Sequence, residues 1–139
     1  MTLNGLLFRS LKLKMSNQFN INIYSEDAEF CSSLAIECNK YGFDLTFFDS
    51  IDLENDKLQE SCLVSVIIID LTILHSVDPY KLGENARIKT GFPIFGVLEQ
   101  FNRKKQNKAR KSGFDLVFTK KMLLRSIKEV VVHIDDNND

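Results

Sequence analysis

Asp70 is the residue of this chain best placed to do chemistry. It closes the run Val64-Ser65-Val66-Ile67-Ile68-Ile69, in which five of six residues are apolar and β-branched. A strand so uniformly apolar has no solvated face, which predicts a central strand covered on both sides by helices. A carboxylate at its carboxyl end lies where open α/β sheets bind their ligands; the competing reading is an aspartate that merely opens the next loop. The other reactive side chains are less organised. Cys31, Cys38 and Cys62 are odd in number and lack CxxC spacing, which argues against a disulfide framework or a zinc site and fits a reducing cytoplasm. His75 and His133 have no cysteine or serine arranged beside them as a nucleophile pair, and His75 reads as a solvated loop residue. With no glycine-rich phosphate loop either, the chain is not expected to be an enzyme.

The elements that must position Asp70 alternate along the chain. Strands are predicted at 19–24, 43–48, 64–70, 93–98 and 116–119. Between them, Asp27 is an N-cap for a helix reaching Lys40, with Phe30, Leu34 and Cys38 at helical spacing and Gly42 as its stop. A short acidic helix is expected at 52–61, a further helix near 80–89 after a loop containing Pro79, a basic helix at 102–111 stopped by Gly113, and a last helix at 122–133. Five successive βα units demand a parallel sheet in a three-layer, doubly wound sandwich.

With 139 residues the chain suffices for one domain that needs neither disulfides nor structural metal. It is expected to divide into an N-terminal extension (1–18), a folded part (19–134) and a tail (135–139), with no DNA-binding or enzymatic domain expected after the last helix. Residues 1–15 carry six leucine or phenylalanine side chains with Arg9, Lys12 and Lys14 and no acid. Three readings stay open for them: a tail outside the fold, a helix docked on the domain or a partner, and contact with a membrane surface. No run is long enough to span a bilayer. The net charge of −1 hides an asymmetry, with ten acids against two bases from Glu26 to Glu60, and ten bases against one acid from Arg103 to Lys128. Such a field steers partners without fixing a fold.

Several landmarks, in order, resemble the receiver domain of two-component response regulators, the flavodoxin-like fold of the chemotaxis regulators. They are Ala28-Glu29-Phe30 opening the first helix, Gly42-Phe43 closing it, Asp70 after the apolar third strand, Pro93 opening the fourth, and Ser112-Gly113-Phe114-Asp115 before Val117-Phe118-Thr119-Lys120. The resemblance covers Asn20 to about Ile134 and implies a five-stranded parallel sheet of order 2-1-3-4-5. It also implies that Asp70 accepts a phosphoryl group, and that Mg²⁺ is held by Asp70, by an acid after the first strand and by the carbonyl of Thr72. Such a hard ion wants oxygen ligands and neutralises the transferred phosphoryl group. Lys120 would pair with a phosphoryl oxygen. Counting back from Gly42 and Phe30 puts the acid pair at Ser25 and Glu26, making Glu26 the metal ligand; the rival frame is Glu26 and Asp27.

The chain departs from the pattern it resembles. The switch hydroxyl falls on Leu98, the small residue after it on Glu99, the fifth-strand aromatic on Val117, and one acid on Ser25. A degenerate switch follows, so the expected function is a stand-alone receiver-like module of a phosphorelay, acting by protein contact and independently of phosphorylation. A phosphate-shuttling regulator using Asp70 and Mg²⁺ is the first alternative. A sulfate-transporter/anti-sigma-antagonist-like domain is the second, suggested by Ile68-Ile69-Asp70-Leu71-Thr72. The expected partner is a histidine kinase, phosphotransfer or effector protein with an acidic surface, not nucleic acid or a bilayer. It would be met by Arg103, Lys104, Lys105, Lys108, Arg110 and Lys111.

Overall fold

A computed structural model of the protein describes residues 19–49, 65–72 and 77–137, the last seven for their backbone only. The expected acidic helix at 52–61 and the N-terminal extension lie outside these residues, as do His75, Cys62 and Val64.

The sheet has five parallel strands, β1 (Asn20–Tyr24), β2 (Asp44–Phe47), β3 (Ser65–Asp70), β4 (Ile94–Leu98) and β5 (Leu116–Thr119), in the order β2-β1-β3-β4-β5. This is the order anticipated above. Every residue of β3 is buried, as its two-sided apolar character requires. Alternate residues serve opposite layers: Val66 and Ile68 pack with one core, Ile67 and Ile69 with the other.

The first core is covered by α1 (Ala28–Tyr41) and α4 (Lys120–Asn137) through Phe30, Leu34, Cys38, Leu123 and Ile127. The second is covered by α2 (Pro79–Thr90) and α3 (Arg103–Lys111) through Tyr80, Leu82, Ala86 and Ala109. Asp27 caps α1 by accepting from the Phe30 amide at 3.0 Å. Such caps are typically worth about 1 kcal/mol. Gly42 ends the helix in the left-handed region at φ 72°, where a side chain would be strained.

Two helices depart most from the sequence expectation. Pro79 is not in the loop but is the first residue of α2, with Asp78 as its cap. Proline's fixed φ and missing N–H suit that position. The last helix starts at Lys120, immediately after β5, and runs through Asn137, so it is longer at both ends than the predicted 122–133. Thr119 makes the abrupt start possible, its hydroxyl oxygen accepting from the Met122 amide at 3.1 Å.

Ser112-Gly113-Phe114-Asp115 acts as a corner. The Asp115 carboxylate accepts from the Ile94 amide at 2.8 Å and from Arg87 at 2.5 Å. The Phe114 ring fills the space that side chains at Gly83 and Gly96 would need. Among the described residues no helix is long and apolar enough to cross a membrane.

Candidate functional site

The register of the sheet assembles the site. Tyr24 lies beside Ile69, Asp70 beside Val97, and Leu98 beside Thr119. The residues that follow each strand end, Ser25, Glu99 and Lys120, therefore emerge at one carboxyl edge with Asp70.

Asp70 is 1% exposed and its carboxylate is held on both oxygens. Oδ1 accepts from the Thr72 amide at 2.9 Å and the Thr72 hydroxyl at 2.5 Å. Oδ2 accepts from the Ser25 hydroxyl at 2.6 Å and pairs with Lys120 Nζ at 3.1 Å. A buried carboxylate needs such donors, because desolvating the charge alone would be prohibitive.

Lys120 is the centre of the cluster. Its side chain is 8% exposed, and its ammonium reaches Asp27 Oδ2 at 2.9 Å and Glu99 Oε1 at 2.7 Å as well as Asp70. It also lies 3.2 Å from Thr72 Oγ1. Burial alone would lower the Lys120 pKa, but hydrogen bonds to Glu99, Asp27 and Asp70 outweigh it and raise the value above the ordinary lysine range. Asp27 moves the other way, held below the usual carboxylate range by its hydrogen bond to Lys120 and then by the Phe30 amide. Lys120 occupies the first turn of α4, which carries no acid. A cation there opposes the helix dipole, and the surrounding carboxylates offset that cost.

The residues singled out in the sequence thus meet unequally. Asp70, Thr72, Lys120, Ser25 and Glu99 converge. Glu26 is exposed; its charge acts on Tyr24, whose hydroxyl pKa is raised by burial first and by Glu26 and Asp49 after it. The acid that joins Lys120 is Asp27, read in the preferred frame only as a helix cap. Its double use was legible in the rival frame, which placed it in the acid pair. Leu98 is buried in the second core, with Val117 packed against the same cluster, so the fourth strand ends in hydrocarbon rather than a hydroxyl.

The basic side chains of α3 are exposed, except that Lys108 also lies over the Tyr80 ring at 4.3 Å. Beside them a cleft of about 420 Å³ is bounded by Leu71, Thr72, Leu98, Glu99, Phe101 and Lys105.

Both Asp70 oxygens already have protein donors, so an Mg²⁺ ion would have to displace one of them to bind there. Ser25 supplies a hydroxyl proton where the receiver pattern has an acid, and the single Lys120 ammonium is shared among Asp70, Asp27 and Glu99. No buried side-chain oxygen or nitrogen among the described residues is left for an ion to satisfy. Nor do those residues contain a cluster of three histidine, cysteine or acidic side chains suited to a metal.

Solved structures share this architecture. The receiver domain of the TMAO respiratory system response regulator TorR superposes with a TM-score of 0.67 at 18% identity, covering 84% of this chain and 98% of that one. The chain has the receiver-domain fold. A two-component response regulator from Clostridium difficile gives a TM-score of 0.67 at 19% identity, over 84% of this chain and 97% of its own. The signal receiver domain of a modulated diguanylate cyclase from Desulfovibrio desulfuricans gives 0.64 at 13% identity, over 85% and 97%. No protein-family model matches the sequence, and no curated protein matches it significantly. The receiver fold replaces the sulfate-transporter/anti-sigma-antagonist alternative, whose strand motif was a local likeness around Asp70.

Proposed function

We propose that this receiver-fold domain is a non-catalytic signalling module of a two-component system that works by protein contact without phosphorylation of Asp70. One observation carries the reading: both Asp70 oxygens are engaged by Ser25, Thr72 and Lys120. A nucleophilic oxygen must shed its donors to attack phosphorus. The Leu98 side chain could not report a phosphoryl group in any case, lacking a donor.

The partner is a signalling protein with an acidic surface, met in the cytoplasm by Arg103, Lys104, Lys105, Lys108, Arg110 and Lys111. The acidic first half of the chain disfavours nucleic acid as the ligand.

Incubation with acetyl phosphate and Mg²⁺ tests the reading. The wild-type protein is expected to gain no adduct by intact-mass measurement. A hydroxylamine-labile phosphoryl adduct, present on wild type and absent from Asp70→Asn, would overturn it. That result would favour the phosphate shuttle, for which the 3.1 Å approach of Lys120 to Asp70 is the supporting geometry.

A further inference from the structure

Glu99 makes the shortest of the three Lys120 ion pairs, 2.7 Å against 2.9 Å for Asp27 and 3.1 Å for Asp70. Yet its side chain is 65% exposed, whereas that of Asp70 is 1% exposed. The three partners are therefore not equivalent. Asp70 is fixed at a strand end by Thr72 and Ser25, and Asp27 is fixed as the cap of α1. Glu99 belongs to the bend between β4 and α3 and reaches the ammonium from the solvent side. An ammonium has three protons, and four oxygens here lie within 3.2 Å of Nζ. The partner with a solvent-facing side chain is the one an external anion could replace.

The same bend forms a wall of the cleft. Glu99, Gln100, Phe101 and Asn102 line it opposite Leu71 and Thr72, and Asn102 then caps α3 by accepting from the Lys105 amide at 3.0 Å. Glu99 thus lies in the same short segment as Phe101, directly before the first basic turn of α3.

We propose that Glu99 is a resident anion: its carboxylate takes the place on Lys120 that an external oxyanion would occupy, and so holds the β4–α3 bend closed over the strand ends. This deepens the reading above and rests on it, giving the phosphorylation-independent module a built-in source of the charge that would otherwise arrive by modification. It also gives Glu99 a positioning role. Three carboxylates around one ammonium leave the cluster with excess negative charge, so a further anion is not accommodated while Glu99 is in place.

Chemical rescue tests the proposal on the full chain without any phosphoryl donor. Amide hydrogen exchange of residues 99–102 is followed in wild type, Glu99→Ala, Glu99→Gln and, as a control on an exposed acid elsewhere, Glu129→Ala. Both Glu99 variants should exchange faster in this segment by roughly two- to fivefold, the range for loss of a solvent-facing ion pair, with Glu129→Ala unchanged. Titrating acetate or inorganic phosphate into Glu99→Ala should bring exchange back toward wild type, and neither should affect wild type. Unaltered exchange in the Glu99 variants, or an increase that neither anion reverses, overturns the proposal. Phosphorylation of wild type by acetyl phosphate would instead sink the reading on which it rests, and is measured separately.

Discussion

The Ser25 hydroxyl donates to Oδ2 of Asp70 at 2.6 Å while its oxygen accepts from the Asp27 amide at 3.2 Å. The serine is thus a relay between the first turn of α1 and the end of β3. A carboxylate at this position would face Asp70 as a like charge and would require a cation between them. The neutral hydroxyl removes that requirement and supplies a hydrogen bond to a charged group, worth roughly 1.5–3 kcal/mol.

Ser25→Asp should convert this arrangement into a metal-dependent one. In EDTA the variant should lose about 1–3 kcal/mol of stability, because the donor to a buried carboxylate is gone. Millimolar Mg²⁺ should then raise its unfolding temperature by mass action, while wild type stays insensitive. Thermal unfolding with and without Mg²⁺ reads both effects, and equal behaviour of the two proteins would count against the role assigned to Ser25.

Asp27 should shape the acid limb of stability. Its folded carboxyl binds the proton less tightly than the unfolded one, because Lys120 and the Phe30 amide favour the anion. Its contribution is therefore fully present above the unfolded-state value near about 4 and is lost as pH falls through the lowered folded value. Lys120 acts at the other end: its raised pKa gives stability that is complete below the ordinary lysine range and lost as pH rises through the folded value. Asp27→Asn should flatten the acid limb in urea midpoints measured against pH and leave the neutral-pH shape unchanged.

Gly83 and Gly96 should differ in their tolerance of alanine. A Cβ at Gly83 would stand 2.2 Å from the Phe114 ring, held in the core beside Tyr80 with ring centroids 6.3 Å apart. At Gly96 the nearest atom is a Leu71 methyl at 2.7 Å, at the end of a rotatable side chain. Gly83→Ala is therefore expected to cost about 1–3 kcal/mol by overpacking, and Gly96→Ala less. Chemical denaturation of the two variants gives the ranking.

Much of this architecture is written in local pattern. The two-sided apolar run before Asp70, the Asp27 and Gly42 caps and the corner at Ser112–Asp115 each state a local rule, while the strand order comes from the receiver resemblance. The site is less legible because its partners are joined by register rather than by spacing. Asp27 and Lys120 lie 93 residues apart, and only the parallel pairing of β1, β3, β4 and β5 shows that one lysine serves three acids. In sequence, Glu99 stands only as a charge where the receiver pattern has a small residue. In the folded protein a buried ammonium 2.7 Å away changes its meaning. The early starts of α2 and α4 were hidden for a different reason: Pro79 looks like a helix breaker until Asp78 caps it, and the Thr119 hydroxyl lets a strand pass into a helix without a loop.

The burial of Lys120 makes the cluster its own reporter. An amine must be neutral and accessible to be acylated, and this one is protonated by its acids and 8% exposed. Reagents such as activated esters should modify the exposed lysines of α3 long before Lys120. The slow acylation of that single side chain would then clock how often the strand ends separate, a local opening rate obtained without altering the sequence.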